Sequence, residues 1–222
     1  MEKRERKVLK KKIIMVTEQQ EQIETTLAYL YNDARYDILK AMKGFAKSAF
    51  RPIQPSNFED AYLSISKEQG EDLKQLIKQH NIKDIVEFGI SFGISTLFLA
   101  QGALETGGTI ITTELIESKA LKAIENFEKA GVNNLIEVRI GDALETLKNH
   151  NESIDLLLLD GWKNLYLPLF EMLESNFHQN TCIYVDNADM AETKAFLRTV
   201  GLNSKYQFQP QHQGKVVLIT IN

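Results

Sequence analysis

From residue 84 onward the chain alternates strand-like and helix-like runs, and this alternation constrains the fold more than any other feature. Strands that are joined through helices run parallel, with right-handed crossovers and helices on both faces of the sheet. The continuous apolar run 154–159 suits a central strand that is buried on both faces. The strand-like runs are DIVEFG, TIITTEL, NLIEVRIG, IDLLLLD and TCIYVDN, and the helix-like runs are 94–103, 118–130, 143–149, 165–175 and 189–200.

The C-terminal end departs from this alternation. The runs KYQFQPQ and GKVVLITIN are strand-like and are separated by only a short connection, which predicts an antiparallel pair at one edge of the sheet. The sequence therefore predicts an α/β protein with a Rossmann-like, doubly wound sheet of seven strands. Most of the strands should be parallel. We expect helix 118–130 to bury Leu121, Ile124 and Phe127 on one face and to stop at Gly131.

The N-terminal part is predicted to be a helical extension. Residues 17–49 carry apolar side chains at a spacing of three to four, which indicates a helix. The segment FRPIQPSN contains two prolines and interrupts this pattern. Ser66 and Gln69 then have the spacing of a capping box at the start of another helix. We expect residues 1–55 to form a basic arm and helix that extend the domain formed by residues 56–222.

Composition narrows the classes of function. Residues 1–12 hold seven basic and two acidic residues, whereas the remainder holds 19 basic and 28 acidic residues. The body is therefore not a basic platform for nucleic acid, although the arm could contact phosphate. The single cysteine, Cys182, fits a reducing compartment, and the chain has neither a run long enough to span a membrane nor a secretory signal. We expect a cytoplasmic protein without a membrane partner, and the N-terminal helix leaves a homodimer open.

The first three strand ends carry glycines and then acids. Gly89 and Gly93 flank the turn between the first strand and its helix, where a helix N-terminus favours an anionic group, although tight packing would also explain them. Glu114 lies at the tip of the second strand, where an acid can accept hydrogen bonds from ribose hydroxyls or cap a helix. Asp142 follows the third strand and would also serve as a helix cap. Together they predict a nucleoside cofactor across these strand ends.

The fourth and fifth strand ends supply oxygen ligands. Asp160 follows the fourth strand, and Asp186 and Asn187 follow the fifth. Two carboxylates and an amide oxygen suit Mg²⁺ or a similar divalent ion, and the lack of nearby His or Cys argues against zinc. Each pair, Asp160-Gly161 and Asp186-Asn187, would also suit an ordinary turn. Their occurrence at adjacent strand ends favours a metal site.

These motifs together resemble the metal-dependent class I O-methyltransferases, the catechol and caffeoyl-CoA O-methyltransferase family, from about residue 61 to residue 187. VEFGISFGIST resembles the motif that holds the amino-acid end of S-adenosylmethionine, TTEL the ribose segment, GDA the adenine segment, and DGWKNLYLP with VDN the metal and catalytic motifs. The resemblance implies that residues 56–222 are a methyltransferase domain. It implies Lys163 as general base and Asp160, Asp186 and Asn187 as metal ligands. The implied cofactor residues are Glu87, Gly89, Ser91, Gly93, Ser95, Glu114, Asp142 and Ala143.

Several points depart from the family pattern or stay open. Gly161 replaces a larger residue, which we expect to open the pocket, and Trp162 would either line that pocket or pack under the next helix. Tyr166 is expected to pack. Glu87 would be an unpaired acid in a central strand, which makes it a candidate cofactor contact.

The methyl acceptor is open as well. Relatives methylate catechols, caffeoyl-CoA esters and flavonoids, and some bacterial members methylate hydroxyuridine in tRNA. We expect a small catechol-like vicinal diol, with the tRNA hydroxyuridine as the alternative. A nicotinamide-dependent oxidoreductase and a relative that only binds the cofactor are the remaining alternatives. Ser91 in place of the second glycine of a dinucleotide motif counts against the oxidoreductase.

Overall fold

The structure is a computed structural model that describes residues 2–34 and 64–222. Within these residues it has seven α-helices and seven strands. The helices are α1 (Glu2–Ala34), α2 (Lys67–His80), α3 (Ile94–Thr106), α4 (Glu117–Lys129), α5 (Ala143–Thr146), α6 (Tyr166–Leu173) and α7 (Ala191–Val200). The strands are β1 (Asp84–Phe88), β2 (Thr109–Glu114), β3 (Ile136–Ile140), β4 (Ile154–Leu159), β5 (Phe177–Val185), β6 (Tyr206–Gln211) and β7 (Val216–Ile221).

All seven strands form one sheet in the order β3-β2-β1-β4-β5-β7-β6. The strands β1 to β5 pair in parallel, and β7 lies antiparallel between β5 and β6. The predicted seven-stranded sheet with an antiparallel C-terminal edge pair is therefore confirmed. From β1 the chain adds β2 and β3 on one side, and then β4 and β5 on the other. The strand order reverses between β1 and β4, which is where ligands bind in sheets of this kind.

Strand β4 shows why the sheet needs helices on both faces. Leu156 and Leu158 belong to one apolar cluster, and Leu157 and Leu159 belong to the other. All four are fully buried, because successive side chains of a strand point to opposite faces. The helices α2, α3 and α4 contribute to the first cluster, and α6 and α7 contribute to the second.

Helix α1 begins at Glu2 instead of residue 17, so the basic N-terminal stretch is helical. Its side chains Ile23, Leu27 and Leu30 are buried in the cluster that also holds residues of α2 and α3. The amide of Gln20 adds a hydrogen bond of 3.0 Å to the carbonyl oxygen of Gln101 in α3. The remainder of the predicted helix, the FRPIQPSN segment and the domain boundary lie outside the described residues. Among the described helices, none has the length and apolarity needed to cross a membrane.

On the predicted face of α4, Phe127 is buried as predicted, Ile124 is only half-buried and Leu121 is exposed. Leu121 is 51% exposed, whereas Ala120, Ala123 and Phe127 are buried against the sheet. The buried residues follow the spacing 120, 123, 127 along one face of the helix. Leu121 is one residue further along the chain from Ala120, so its side chain points away from that face. The predicted stop at Gly131 is confirmed, since this glycine has φ +67° directly after the helix.

Candidate active site

The ends of β1, β4 and β5 bring the predicted site residues together. Phe88 pairs with Leu159 in parallel register. The backbone amide of Asp160 donates to the carbonyl oxygen of Phe88 at 2.9 Å, and that of Asp186 donates to the carbonyl oxygen of Leu159 at 3.0 Å. These bonds continue the parallel ladder one step beyond the strands. Gly89, Asp160 and Asp186 therefore lie side by side at the point where the strand order reverses.

The carboxyl groups of Asp160 and Asp186 form a buried pair. They are close enough for a hydrogen bond between them, and the Asp160 side chain is only 9% exposed. Burial, followed by the negative charge of Asp186, raises the pKa of Asp160 well above its ordinary value. The ammonium group of Lys163 acts in the opposite direction but does not offset these effects. A positive charge in addition to that of Lys163 would therefore stabilise the pair of Asp160 and Asp186.

Lys163 lies beside this pair. A short 3₁₀ turn over Lys163–Leu165 follows β4 and directs the lysine back towards the strand end. Its Nζ lies 3.7 Å from Oδ1 of Asp160 and donates a hydrogen bond of 2.8 Å to the carbonyl oxygen of Gly161. The same atom lies 5.4 Å from the ring centroid of Tyr166. Lys163 is thus a half-buried amine that is held at the edge of the carboxylate pair.

The donor set fits a hard divalent cation. Two carboxylates in contact are costly to bury unless a cation compensates their charge, and carboxylate and amide oxygens are suitable ligands. Asn187 follows Asp186 with φ +52°, a left-handed conformation that asparagine tolerates better than most residues. Among residues 2–34 and 64–222, no group of three His, Cys, Asp or Glu side chains is arranged to hold a metal. A bound cation would therefore depend on Asn187 and on non-protein oxygens as well as on the two aspartates.

A cavity of about 460 Å³ opens beside this donor set. Its lining includes Asp186, Asn187 and Lys215. Tyr31, from the end of α1, and residues 64–66, before α2, also line it. Polar atoms of the site thus face a volume within the range of small-molecule pockets, about 300–1,000 Å³.

The two glycines of the β1 turn have positive φ and make close contacts. Gly89 has φ +99°, and a Cβ there would lie 2.6 Å from the backbone of Gly161. Gly93 has φ +88°, and a Cβ there would lie 2.5 Å from the ring of Phe127. Both positions therefore require glycine for backbone conformation and packing. The turn after β1 is pressed directly against the turn that carries Asp160.

This contact leads to a stability prediction. We expect Gly89→Ala to lower the free energy of unfolding by about 2–4 kcal/mol, because left-handed strain and overpacking both apply. Gly107→Ala is the matched control, since Gly107 also has positive φ (+74°) but has no atom within 4 Å of an added Cβ. This control should lose only about 1 kcal/mol. Urea denaturation measures both, and equal losses would contradict the close contact.

The acids of the second and third strand ends hold backbone amides. Oε2 of Glu114 accepts a hydrogen bond from the Ser91 amide, and Oε1 accepts one from the Ile116 amide, both at 2.9 Å. Glu114 thus ties the glycine turn to the end of β2. Asp142 caps α5 by accepting from the Leu144 amide at 2.9 Å. Both acids keep free lone pairs for a ligand, and their cofactor roles, like that of Ala143, stay predictions.

Glu87 is fully buried in β1 and has hydrogen-bond partners. Its carboxylate accepts bonds of 2.5–2.7 Å from the hydroxyls of Ser95, Thr96 and Thr112. Burial raises its pKa, and the three hydroxyls act against that shift. Glu87 was predicted to contact a cofactor because an unpaired acid is unusual in a central strand, and these donors remove that reason. Cofactor contacts of Glu87 and Ser95 stay predictions.

Comparison with protein families agrees with this geometry. A family model described as O-methyltransferase matches residues 51–196, which is more than half of the chain. The chain belongs to the O-methyltransferase family. The predicted resemblance is therefore confirmed.

Curated members of the family are similar over part of their length. A catechol O-methyltransferase of Niastella koreensis is 30% identical over 129 residues, which cover 56% of this chain and 58% of that protein. Caffeoyl-CoA O-methyltransferase 1 of Zea mays is 34% identical over 118 residues, which cover 50% of this chain and 45% of that protein. The chain thus spans less than two thirds of the length of these relatives.

Solved structures share the fold. An O-methyltransferase from Bacillus cereus, solved in complex with SAH, superimposes with a TM-score of 0.65 at 23% identity, over 82% of this chain and 97% of that chain. A methyltransferase of Podospora anserina, also bound to SAH, gives a TM-score of 0.68 at 19% identity, over 82% and 87% of the two chains. At these identities the likeness establishes the fold alone.

Three residues that follow β4 have packing roles in this enzyme fold. A Cβ on Gly161 would lie 2.5 Å from the ring of Phe88, so this glycine accommodates that ring, and the prediction that it opens the pocket is wrong. Trp162 packs against the apolar cluster of α6 and α7. Tyr166 is fully buried, as predicted, and makes edge-to-face contacts with Phe88 and Phe196.

The sequence did not identify two residues at the carboxylate pair and its cavity. Gln69 was predicted only as part of a capping box, yet its amide also donates to Oδ1 of Asp186 at 2.7 Å. Lys215 lines the cavity from the connection between β6 and β7. The capping-box spacing was the only sequence signal for Gln69, and it gave no indication of a partner 117 residues away.

Proposed function

We propose that this chain is an S-adenosylmethionine-dependent, divalent-metal-dependent O-methyltransferase that methylates one hydroxyl of a catechol-like vicinal diol. The observation that carries the proposal is the buried pair of Asp160 and Asp186, with Lys163 at its edge, beside the glycine turn. Family membership supplies the reaction class. The names of the curated relatives, catechol and caffeoyl-CoA O-methyltransferases, support the choice of a diol.

The cofactor would lie across the ends of β1, β2 and β3. The turn from Gly89 to Gly93 would hold its amino-acid end, with Ser91 and Ser95 nearby. Glu114 would accept hydrogen bonds from the ribose, and Asp142 with Ala143 would flank the adenine. S-Adenosylmethionine supplies a methyl group on a positively charged sulfur, which is already a strong electrophile. The protein's contribution is then alignment of the acceptor oxygen and removal of its proton.

The metal would be held by Asp160, Asp186 and Asn187, with Mg²⁺ as the expected ion. A bound divalent cation lowers the pKa of a hydroxyl that coordinates it. Asp186 and Asn187 line the 460 Å³ cavity, so a diol in that cavity would present its oxygens to an ion held by these residues. This arrangement favours a substrate with two neighbouring hydroxyls over one with a single hydroxyl.

Lys163 would act as the general base. The base form is the neutral amine, so Lys163 would have to release its ammonium proton before the step. Its Nζ would then take the hydroxyl proton as the acceptor oxygen bonds to the methyl carbon, and the methyl–sulfur bond of S-adenosylmethionine would break. The hydrogen bond from Nζ to the Gly161 carbonyl holds the amine at the edge of the carboxylate pair, 3.7 Å from Oδ1 of Asp160. General-base assistance of this kind contributes about 10²–10⁴ in rate.

A methyl-donor assay tests the proposal. Purified protein is given labelled S-adenosylmethionine with catechol, a catechol acyl-CoA thioester or undermodified tRNA, each with and without EDTA. We expect methylation of a catechol substrate, its loss in EDTA and its recovery with Mg²⁺. Turnover that is indifferent to chelation would contradict the metal requirement, and failure of every diol would contradict the substrate class.

The alternatives make distinct predictions in this assay. Methylation confined to tRNA, lost on removal of residues 1–12, would favour the hydroxyuridine activity. A protein that binds S-adenosylmethionine but methylates nothing would be a cofactor-binding relative. A nicotinamide-dependent oxidoreductase would bind NAD instead of S-adenosylmethionine. The cytoplasmic location and the homodimer stay predictions.

A further inference from the structure

Gln69 joins the start of α2 to the carboxylate pair. Its Oε1 accepts a hydrogen bond of 2.9 Å from the backbone amide of Ser66, and its backbone amide donates to Oγ of Ser66 at 3.2 Å. These two bonds form the capping box of the helix. Its Nε2 donates a third bond, of 2.7 Å, to Oδ1 of Asp186. One side chain thus serves a helix terminus and a site 117 residues away.

The capping bond determines which end of the Gln69 amide faces Asp186. An amide group has one acceptor oxygen and one donor nitrogen. Since the backbone amide of Ser66 is a donor, it requires the oxygen, and the nitrogen is left facing the carboxylate. Rotation of the amide by 180° would place oxygen against carboxylate and nitrogen against an N–H, which would break both bonds. The orientation is therefore fixed from both sides.

The bond to Gln69 also fixes Asp186. Asp186 is 5% exposed, so its carboxyl group depends on protein partners rather than on water for its orientation. A neutral donor at 2.7 Å restrains Oδ1 without adding charge. Partners of metal-ligating carboxylates that lie outside the ligand shell typically contribute about 10- to 100-fold to metal affinity or activity.

We propose that Gln69 is a positioning residue that holds Asp186 in the orientation needed for divalent metal binding. This proposal rests on the metal site of the proposed function. It assigns the capping box a second role, because the start of α2 determines the geometry of a ligand at the end of β5. The residues directly before this helix also line the acceptor cavity, so one short segment shapes the cavity and positions the metal ligand.

The test compares Gln69→Met with Gln20→Met. Methionine has a similar length and good helix propensity but cannot donate a side-chain hydrogen bond. Gln20→Met is the same substitution in α1, where the Gln20 amide donates a hydrogen bond of 3.0 Å to the carbonyl oxygen of Gln101 and not to a carboxylate. Mn²⁺ binding to the cofactor-free protein is measured by the loss of the electron paramagnetic resonance signal of free Mn²⁺. Thermal unfolding in EDTA shows that each variant is folded.

We expect Gln69→Met to weaken Mn²⁺ binding by about 10- to 100-fold and Gln20→Met to leave it within about 3-fold of wild type. Both variants should unfold at somewhat lower temperature, since each loses a side-chain hydrogen bond. Equal Mn²⁺ affinity in Gln69→Met and wild type, or equal weakening by the two variants, would overturn the positioning role of Gln69 but not the proposed metal requirement. Wild-type protein that leaves Mn²⁺ free would overturn the metal requirement and this assignment together.

Discussion

Replacement of Lys163 by methionine is expected to reduce kcat for methyl transfer by about 10²–10⁴, because the reaction loses its proton acceptor. The affinity for S-adenosylmethionine should change little, since Lys163 follows β4 and the predicted cofactor residues follow β1, β2 and β3. Single-turnover kinetics with a catechol acceptor measures the first effect, and calorimetric titration of the cofactor measures the second.

Lys205 supplies a matched control for this substitution. Its Nζ lies 3.4 Å from Oε1 of Glu174 and 5.1 Å from the ring centroid of Tyr206, which resembles the acid and tyrosine environment of Lys163. Lys205→Met therefore removes a comparable ion pair and ring contact away from the site, and it should leave kcat unchanged. Retention of wild-type kcat in Lys163→Met would contradict the assignment of a general base. Equal losses in both variants would indicate a general effect on the fold.

Replacement of Asp160 by asparagine is expected to weaken divalent-metal binding by at least about 100-fold, because even outer-shell partners contribute about 10- to 100-fold. Methyl transfer at ordinary Mg²⁺ concentrations should be lost with it. The stability of the metal-free protein should change in the opposite direction. The substitution removes one charge from a buried like-charge pair, so the variant should be at least as stable as wild type in EDTA.

The pH dependence of this stability follows from the raised pKa of Asp160. Above about pH 4, an unfolded aspartate has released its proton, whereas the folded carboxyl still retains its own. The free energy of unfolding of metal-free wild type therefore falls as pH rises towards the folded pKa. Asp160→Asn lacks this contribution, so the difference between the two proteins should grow with pH. Urea denaturation in EDTA across this range measures it.

Asp155 is the control for Asp160, since it is an aspartate in β4 near the opposite end of the strand. It accepts hydrogen bonds from the backbone amides of Lys83 and Asp84, at 2.7 and 3.1 Å. Asp155→Asn should lower stability without changing metal affinity. Metal binding by Asp160→Asn at wild-type strength would contradict the proposed ligand.

The fold was predictable because its signals are local. Each strand and helix of the sheet region is indicated by a pattern within about ten residues, and the rules of parallel connection then leave few topologies. The convergence of Asp160, Asp186 and Asn187 was predictable for the same reason, since the residues after adjacent parallel strands must meet at one edge. The Lys163 role came from resemblance to a family motif and not from any pattern in the residues.

Other features depend on contacts that the local pattern does not contain. The hydroxyls that satisfy Glu87 come from α3 and β2, and their convergence depends on how that helix crosses the sheet. Gly161 was misinterpreted because the ring that occupies the space beside it belongs to Phe88, on the neighbouring strand. Leu121 was misassigned because the local sequence does not distinguish an exposed apolar residue at the edge of a helical stripe from a buried one. In each case the deciding contact is made by the tertiary structure.

The close approach of Gly89 and Gly161 has a consequence for how the acceptor range of such an enzyme can change. Because no side chain separates the two turns, they cannot shift independently. A substitution that moves one turn would also move the proposed reacting groups on the other. Tyr31 and residues 64–66 form a wall of the cavity that carries none of the proposed reacting groups. Divergence towards new acceptors, in nature or in directed evolution, should therefore accumulate on that wall.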